Sequence, residues 1–397
     1  MNLRIACVGA AIALNIFANS SAASAADIKV GVVLSLSGAD SLPGSQIEHG
    51  MQLYLKEHAA ALPAGTKIDL LVRDDTGPNP DVAKRLTQEL IARDHVNLLV
   101  GALYTPNAMA MAPLATEAKT PFIIVNAATA ALTRKSPYVV RVSFTLWQTA
   151  LPLGKWAAQQ GAKKGYTAVA DYAPGYDAQA AFAKGFEDGG GKIVGSLKLP
   201  LDTGNYVPYL QRVEDDHPDV LYVFVPVSAA PEMMRAVGGL GLEKSGIKLV
   251  STMDLVPDQQ LLAMGDPVKG LVTSGTYSAV ADRPQNKAFV AAWHRAYGAD
   301  ALPDFTAVQG WDAMDAVFDV VKQIGGKFDG DQAMAILKDW KNPQSPRGPV
   351  EIDPATRDVV QNVYIRRVED IGGKLSNVEF ATVPQVKDPW KEMNPEK

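Results

Sequence analysis

Ile28-Lys29-Val30-Gly31-Val32-Val33-Leu34, followed by Ser35-Leu36-Ser37-Gly38-Ala39-Asp40-Ser41-Leu42-Pro43-Gly44, decides the architecture. The first seven residues form a near-continuous apolar run, the pattern of a strand buried on both faces of a sheet. A polar, glycine-bearing loop follows and leads into a helix. Upstream, Arg4 precedes an apolar stretch, Ile5 to Phe17, which ends in Ser20-Ser21-Ala22-Ala23-Ser24-Ala25-Ala26. A charged start, a short apolar centre and the A-x-A site Ala23-Ser24-Ala25 predict a cleavable export signal over residues 1–26, cut near Ala25 or Ala26. The apolar stretch is too short to anchor in a bilayer, which takes about 20 residues. A chain that opens in this way is expected to act outside the cytoplasm and to bind a solute there.

The chain has 397 residues, so removing the first 26 leaves 371 (397 − 26). At about 100–200 residues per domain, that predicts two domains. Hydrophobic residues at 47% suffice for two cores. Loss of Arg4 moves the net charge from −5 to −6 (−5 − 1). A mildly acidic chain excludes the clustered Lys and Arg of nucleic-acid binding. The single cysteine, Cys7, lies in the expected signal, so the mature chain has no disulfide framework, thiolate metal site or cysteine nucleophile. A lipidated cysteine would end the apolar stretch, and Cys7 stands near its start.

Strand-like runs at Lys67–Val72, Asn97–Val100, Pro121–Val125, Tyr166–Asp171, Asp219–Val225, Ile247–Thr252 and Leu271–Thr276 alternate with amphipathic stretches such as Pro80–Asp94, Ala178–Asp188 and Gln285–Tyr297. Alternation of this kind predicts α/β architecture with parallel sheets and right-handed crossovers. The pattern occurs twice, over residues 28–142 and again from Leu146 to about 276. Helices then follow over Gln285–Tyr297, Thr306–Ile324 and Asp331–Trp340, with a late strand at Gln361–Val368. Crossings between the two sets are expected near Ser143–Leu146, Thr276–Ser278 and Asn342–Arg347.

In open α/β sheets, ligands bind beyond the carboxyl ends of the strands. After Leu98-Leu99-Val100 comes Gly101-Ala102-Leu103-Tyr104-Thr105-Pro106-Asn107-Ala108. Thr105 suits a helix N-cap and Pro106 the first helical position. The helix Asn107–Lys119 would then point its free amides at the crevice, a site for a carboxylate. The Thr105 hydroxyl serves either that cap or a ligand. After Pro121–Val125, the small residues Ala127 and Ala128 let a ligand approach the backbone, and Thr129 adds a hydroxyl that is either ligand-directed or part of a turn. Tyr172 and Tyr176 share a loop and could wall a pocket. Asp254, after Met253, either holds an ammonium or caps a turn.

Catalytic patterns are absent. His49, His58, His95, His217 and His294 show no metal-binding spacing, so no metal and no cofactor is expected. There is no G-x-S-x-G elbow. Ser245-Gly246-Ile247-Lys248 fits S-x-x-K without its partner elements and runs into a strand. Gly238-Gly239-Leu240-Gly241 follows a helix and reads as its stop. No enzyme is predicted.

Several signatures then converge: Ile28–Gly38, Val72-Arg73-Asp74-Asp75, Gly101–Asn107, Asn126–Thr129, Asp171–Asp177 and Gln309-Gly310-Trp311-Asp312-Ala313. In their order the chain resembles, over about 27–380, the type I periplasmic solute-binding proteins of ABC importers, in the branched-chain amino acid (Leu/Ile/Val-binding) group. The resemblance implies two lobes, each a mostly parallel sheet flanked by helices, joined by three hinge crossings. Lobe 1 would be 27–145 plus 277–343, lobe 2 would be 146–276 plus 344–384, and 385–397 a tail. It implies that Tyr104, Thr105, Asn107, Ala127, Ala128 and Thr129 hold a ligand carboxylate, with Ser37 and Leu42 in the loop region after the first strand. Tyr172, Tyr176, Ser228, Met253 and Asp254 would cover the ligand, Asp254 looking like the ammonium partner of amino-acid binders. The implied protein is periplasmic and monomeric and hands its solute to a membrane permease, or, in the same fold, to a sensory receptor. Tyr104-Thr105-Pro106-Asn107 replaces the small hydroxyl run of the leucine-type pattern, and Phe224-Val225-Pro226-Val227-Ser228 its glycine-rich aromatic loop. Relatives with such changes are similar to binders of aromatic acids, amides or other carboxylates.

Overall fold

A computed structural model describes residues 27–201, 203–324 and 327–396. The expected export signal lies outside the described residues. Ten strands build two parallel sets. The first holds β1 (Asp27–Leu34), β2 (Lys67–Asp74), β3 (Leu98–Gly101), β4 (Phe122–Ile124) and β5 (Val139–Arg141). The second holds β6 (Lys164–Ala170), β7 (Lys192–Leu199), β8 (Val220–Phe224), β9 (Lys248–Thr252) and β10 (Val272–Gly275). The sheet order is β2-β1-β3-β4-β5 in one and β7-β6-β8-β9-β10 in the other, the same order repeated. Every residue of β3 and of β8 is buried, because helices cover both faces.

The helices are α1 (Ser41–His58), α2 (Pro80–Ala92), α3 (Thr105–Ala118), α4 (Leu146–Gln159), α5 (Ala173–Asp188), α6 (Val207–Asp215), α7 (Ala230–Leu240), α8 (Leu261–Met264), α9 (Pro284–Tyr297), α10 (Phe305–Ile324), α11 (Gly330–Lys338) and α12 (Pro389–Met393). Two helix pairs approach closely through glycine. A Cβ on Gly50 of α1 would stand 2.0 Å from the Ala307 carbonyl oxygen, and one on Gly310 of α10 would stand 2.1 Å from that of Ile47. In the second half, Gly154 of α4 and Gly185 of α5 do the same, at 2.2 Å from the Phe182 oxygen and 2.0 Å from the Leu151 oxygen.

Four antiparallel strands complete the sheet: β11 (Lys341–Asn342), β12 (Val350–Asp353), β13 (Asp358–Ile371) and β14 (Lys374–Val386). β13 spans both halves. Its Asp358 lies beside Arg141 of β5, Asp358–Gln361 pair with β12, and Tyr364–Arg367 pair with β10. At about 3.3 Å per residue, one strand of 14 residues reaches from sheet to sheet. The third crossing therefore lies inside β13, not at Asn342–Arg347, and residues 350–361 pair on the side of the first sheet, against their expected place with the second lobe.

Arg347 ties the crossings together. Its guanidinium meets Asp312 of α10 at 2.8 Å and donates to the carbonyls of Val142 and Ser143 and to Gln361. Both Arg347 and Asp312 are fully buried. Burial pushes the Asp312 carboxyl up to about 6, against the pull of Arg347.

Candidate functional site

The crevice between the halves is lined by loops at the carboxyl ends of the strands, as the topology requires. On the first side, Tyr104 is the N-cap of α3 with extended dihedrals, φ −108° and ψ 141°, and Thr105 is the first helical residue. This corrects the expectation that Thr105 caps the helix. Its buried hydroxyl has no hydrogen-bond partner among the described residues. The Thr129 hydroxyl is likewise buried and unpartnered. Uncompensated hydroxyls in a dry interior cost about 1–3 kcal/mol each, so two of them in the loops that follow β3 and β4 suit a polar guest. In the first turn of α3 the Thr105 and Asn107 amides have no partner within the helix, while Pro106 has no N–H and the Ala108 amide donates to the Tyr104 carbonyl at 3.1 Å. Behind them, Ala102 adopts φ +65°, a strained conformation for a residue with a Cβ, and its carbonyl accepts from the Ala127 amide at 3.0 Å.

Asn107 is buried and serves the scaffold. Its Nδ2 donates to Asp75 at 2.7 Å and to the Gly77 carbonyl at 2.9 Å, bracing the loop after β2. Ala128 accepts from the Leu146 amide, and Ala127 and Thr129 accept from Arg141, all through their carbonyls. The Ala130 amide donates to Asp177 of α5 at 2.8 Å, across the crevice.

On the second side, Tyr172 stacks on Phe224, centroids 6.3 Å apart and planes 15° off parallel. Met253 is wholly buried, its sulfur beside the Thr276 amide. Asp254 is buried, accepts from the Thr252 hydroxyl at 2.7 Å, and has no cation within ion-pair distance among the described residues. Burial pushes its carboxyl up to about 6. The halves meet where the Tyr104 hydroxyl, donating to Asp40 at 2.5 Å, lies 3.5 Å from the Ser228 hydroxyl. Burial, and then the Asp40 charge, hold that phenol well above its usual range, so it stays a donor. A third cross-crevice bond joins Gln46 of α1 to Gln259 at 2.6 Å.

Tyr104, Thr105, Ala127, Ala128, Thr129, Tyr172, Ser228, Met253 and Asp254 thus belong to loops that meet at the crevice. Three other expected residues are exposed. Tyr176 is 47% exposed, its hydroxyl bonded to Asp171 and its ring under the Lys198 ammonium. Leu42 is 42% exposed and Ser37 is also exposed. Asp40 and Asp177 were missed. Their only sequence signal was an acid one to three residues from a chosen position, and their partners lie 64 and 47 residues away.

A cavity of about 630 Å³ opens at the opposite, amino-terminal ends of β8 to β10, between Trp156, Val220, Lys248 and Leu271. No unpartnered buried side chain lines it. No cluster of metal-ligating side chains occurs among the described residues, and no helix there is long and apolar enough to cross a membrane.

Two parallel strand sets of the same order, joined through β13 and with polar loops meeting between them, define a bilobal solute-binding architecture. Residues 27–374 match the family described as periplasmic binding protein, and the chain belongs to that family, in its type I branched-chain group. It is 36% identical over 382 residues to the Leu/Ile/Val-binding protein homolog 6 of Brucella abortus, covering 95% of this chain and 97% of that one. It is similar to the solute-binding protein of an ABC transporter from Rhodopseudomonas palustris BisB5 solved with 3,4-dihydroxybenzoic acid, with a TM-score of 0.88 and 46% identity over 92% of this chain and 99% of that one. A further R. palustris solute-binding protein, in complex with 4-hydroxybenzoate, has a TM-score of 0.88 and 40% identity, again over 92% and 99%. The family and these neighbours are solute-binding proteins, not enzymes.

Proposed function

We propose that this chain is exported and captures a small aromatic carboxylate, of the hydroxybenzoate kind, for delivery to the membrane permease of an ABC importer. The observation that carries the reading is a pair of buried, unpartnered hydroxyls, Thr105 at the start of α3 and Thr129 in the loop after β4. A carboxylate there would accept from both and from the amides beside them, with the helix dipole in support. Tyr172 on Phe224 offers a flat apolar wall for a ring. Asp254 would accept a ring hydroxyl from the far side, in a charge-assisted bond. The bound ligands of the two R. palustris neighbours support this class.

Each half supplies part of the site, so closure is favoured when a solute bridges both. The same unpaired Asp254 would suit an α-ammonium, and the name of the Brucella relative keeps an aliphatic amino acid as the second reading. A thermal-shift screen with 3,4-dihydroxybenzoate, 4-hydroxybenzoate, benzoate and leucine separates them. At 100 times its dissociation constant, a true ligand adds about 2.7 kcal/mol of stability. Hydroxybenzoates should shift the melting point most. A shift with leucine alone would overturn the aromatic reading in favour of the amino acid.

A further inference from the structure

The carboxy-terminal segment, expected to be a plain tail, is built into the support of the ligand loop. Arg141, at the end of β5, is fully buried and donates to the carbonyls of Ala127 and Thr129 at 2.9 Å and of Ala130 at 3.4 Å. In a trans peptide the C=O and the following N–H point in opposite directions. Turning the carbonyls of Ala127 and Thr129 toward Arg141 therefore turns the amides of Ala128 and Ala130 away from it. The Ala130 amide ends on Asp177 across the crevice.

Arg141 is in turn held by Asp358, the first residue of β13, at 2.7 Å. Asp358 also receives the ammonium of Lys391 on α12. Lys391 is buried and donates further to the Thr133 hydroxyl and the Thr356 carbonyl. Asp388 caps α12 through the Trp390 amide, and its second oxygen is buried without a partner. Two cations and two acids thus share one dry cluster. Outside it, Arg134 lies 4.7 Å over the Trp390 ring and pairs with Glu396 at 3.1 Å. Charges buried together are costly unless every member keeps its partners, so the position of each constrains the rest.

We propose that residues 388–396 form a brace that fixes loop 127–130 in its carboxylate-gripping geometry, acting through Lys391, Asp358 and Arg141 as positioning residues. The inference rests on the reading of that loop as the carboxylate site. Undocking the segment should then loosen the loop and weaken solute binding without touching the crevice.

The test uses the full chain. Trp390→Ala removes the ring under Arg134 and leaves the buried charges in place, Trp390→Phe keeps a ring there, and Lys391→Met removes one member of the cluster. Amide hydrogen exchange of the peptide covering 126–135 is read in solute-free protein, with β8 as an internal control, alongside calorimetric binding of 4-hydroxybenzoate. Trp390→Ala should speed exchange in the loop and raise the dissociation constant by roughly tenfold, about 1.4 kcal/mol, with β8 unchanged and Trp390→Phe restoring both. Loop exchange as slow as in the parent protein, in a Trp390→Ala variant whose 388–396 peptide exchanges freely, overturns the brace. So does faster exchange spread equally over β8, which is general destabilisation. If Lys391→Met fails to fold, the Trp390 pair decides alone. Faster loop exchange in a protein whose parent form binds no aromatic acid upholds the brace and removes the proposed function instead.

Discussion

On the amino-terminal side of the crevice, Thr105 and Thr129 hold buried hydroxyls with no hydrogen-bond partner among the described residues; on the other side, Tyr172 lies against Phe224 and Asp254 keeps a carboxyl without a cation among them. The scaffolds behind these two surfaces are near copies, with the same strand order and the same glycine-to-carbonyl helix crossing. The loops at the strand ends differ. A repeated fold thus carries unlike chemistry on its two inner faces, donors on one and a flat wall with an acceptor on the other. A ligand with a negative group, a ring and a hydroxyl donor would satisfy both at once.

The comparison holds only while one junction keeps the halves in register, and that junction gives the largest expected effect. Arg347→Met leaves Asp312 buried without its cation and frees the carbonyls of Val142 and Ser143. Breaking one side of a buried pair costs about 3–5 kcal/mol. Urea denaturation should show a loss of that size; a loss under 1 kcal/mol would mean that the junction is held by β13 alone.

Asp254 sharpens the contrast through pH. Its folded carboxyl titrates near 6, above the ordinary 3.8, because burial disfavours the charge. The native state therefore binds more protons than the unfolded chain between those values, and this group's contribution to stability is present below about pH 4 and is lost as pH rises through 6. Asp254→Asn should flatten the fall in stability over that range by on the order of 3 kcal/mol. Asp258 and Asp312, also raised to about 6 by burial, keep part of the slope in the variant. Melting curves from pH 4 to 7 check this; parallel slopes for parent and variant would show that Asp254 is not buried in solution.

The mirrored helix crossings give the next effect. Gly154→Ala and Gly310→Ala each place a methyl against a carbonyl at about the same distance. Overpacking of this kind costs about 1–3 kcal/mol, and the two variants should lose similar amounts in chemical denaturation. A silent Gly154→Ala beside a damaging Gly310→Ala would end the likeness between the halves.

Much of this was legible in sequence where burial is complete. β3, β4, β6, β8, β9 and β10 stand within two residues of their apolar runs, because strands covered on both faces have little choice of composition. β7 was missed: it is a sheet edge whose residues are mostly half-exposed, with Gly195 under the Tyr166 ring. In β13 only the apolar middle showed, so the strand read too short and the third crossing fell too early. In the site, hydroxyls next to a helix start could be picked out locally. Asp40, Asp177 and Arg141 could not, since each acts through a contact made only when distant segments meet.

Thr129→Ala gives the smallest expected effect on the fold and the most pointed one on the site. In the solute-free protein the Thr129 hydroxyl is buried and bonds to nothing, so removing it should leave the melting point unchanged or slightly higher. In the complex the same hydroxyl would face a carboxylate, and its loss should raise the dissociation constant about ten- to a hundredfold, in line with about 1.5–3 kcal/mol for a hydrogen bond to a charged group. Calorimetry with 4-hydroxybenzoate and a melting scan without it separate the two effects. Opposite signs are the mark of a group kept for a ligand at the expense of the empty protein; equal losses of stability and affinity would return Thr129 to the scaffold and leave Thr105 to carry the donor side.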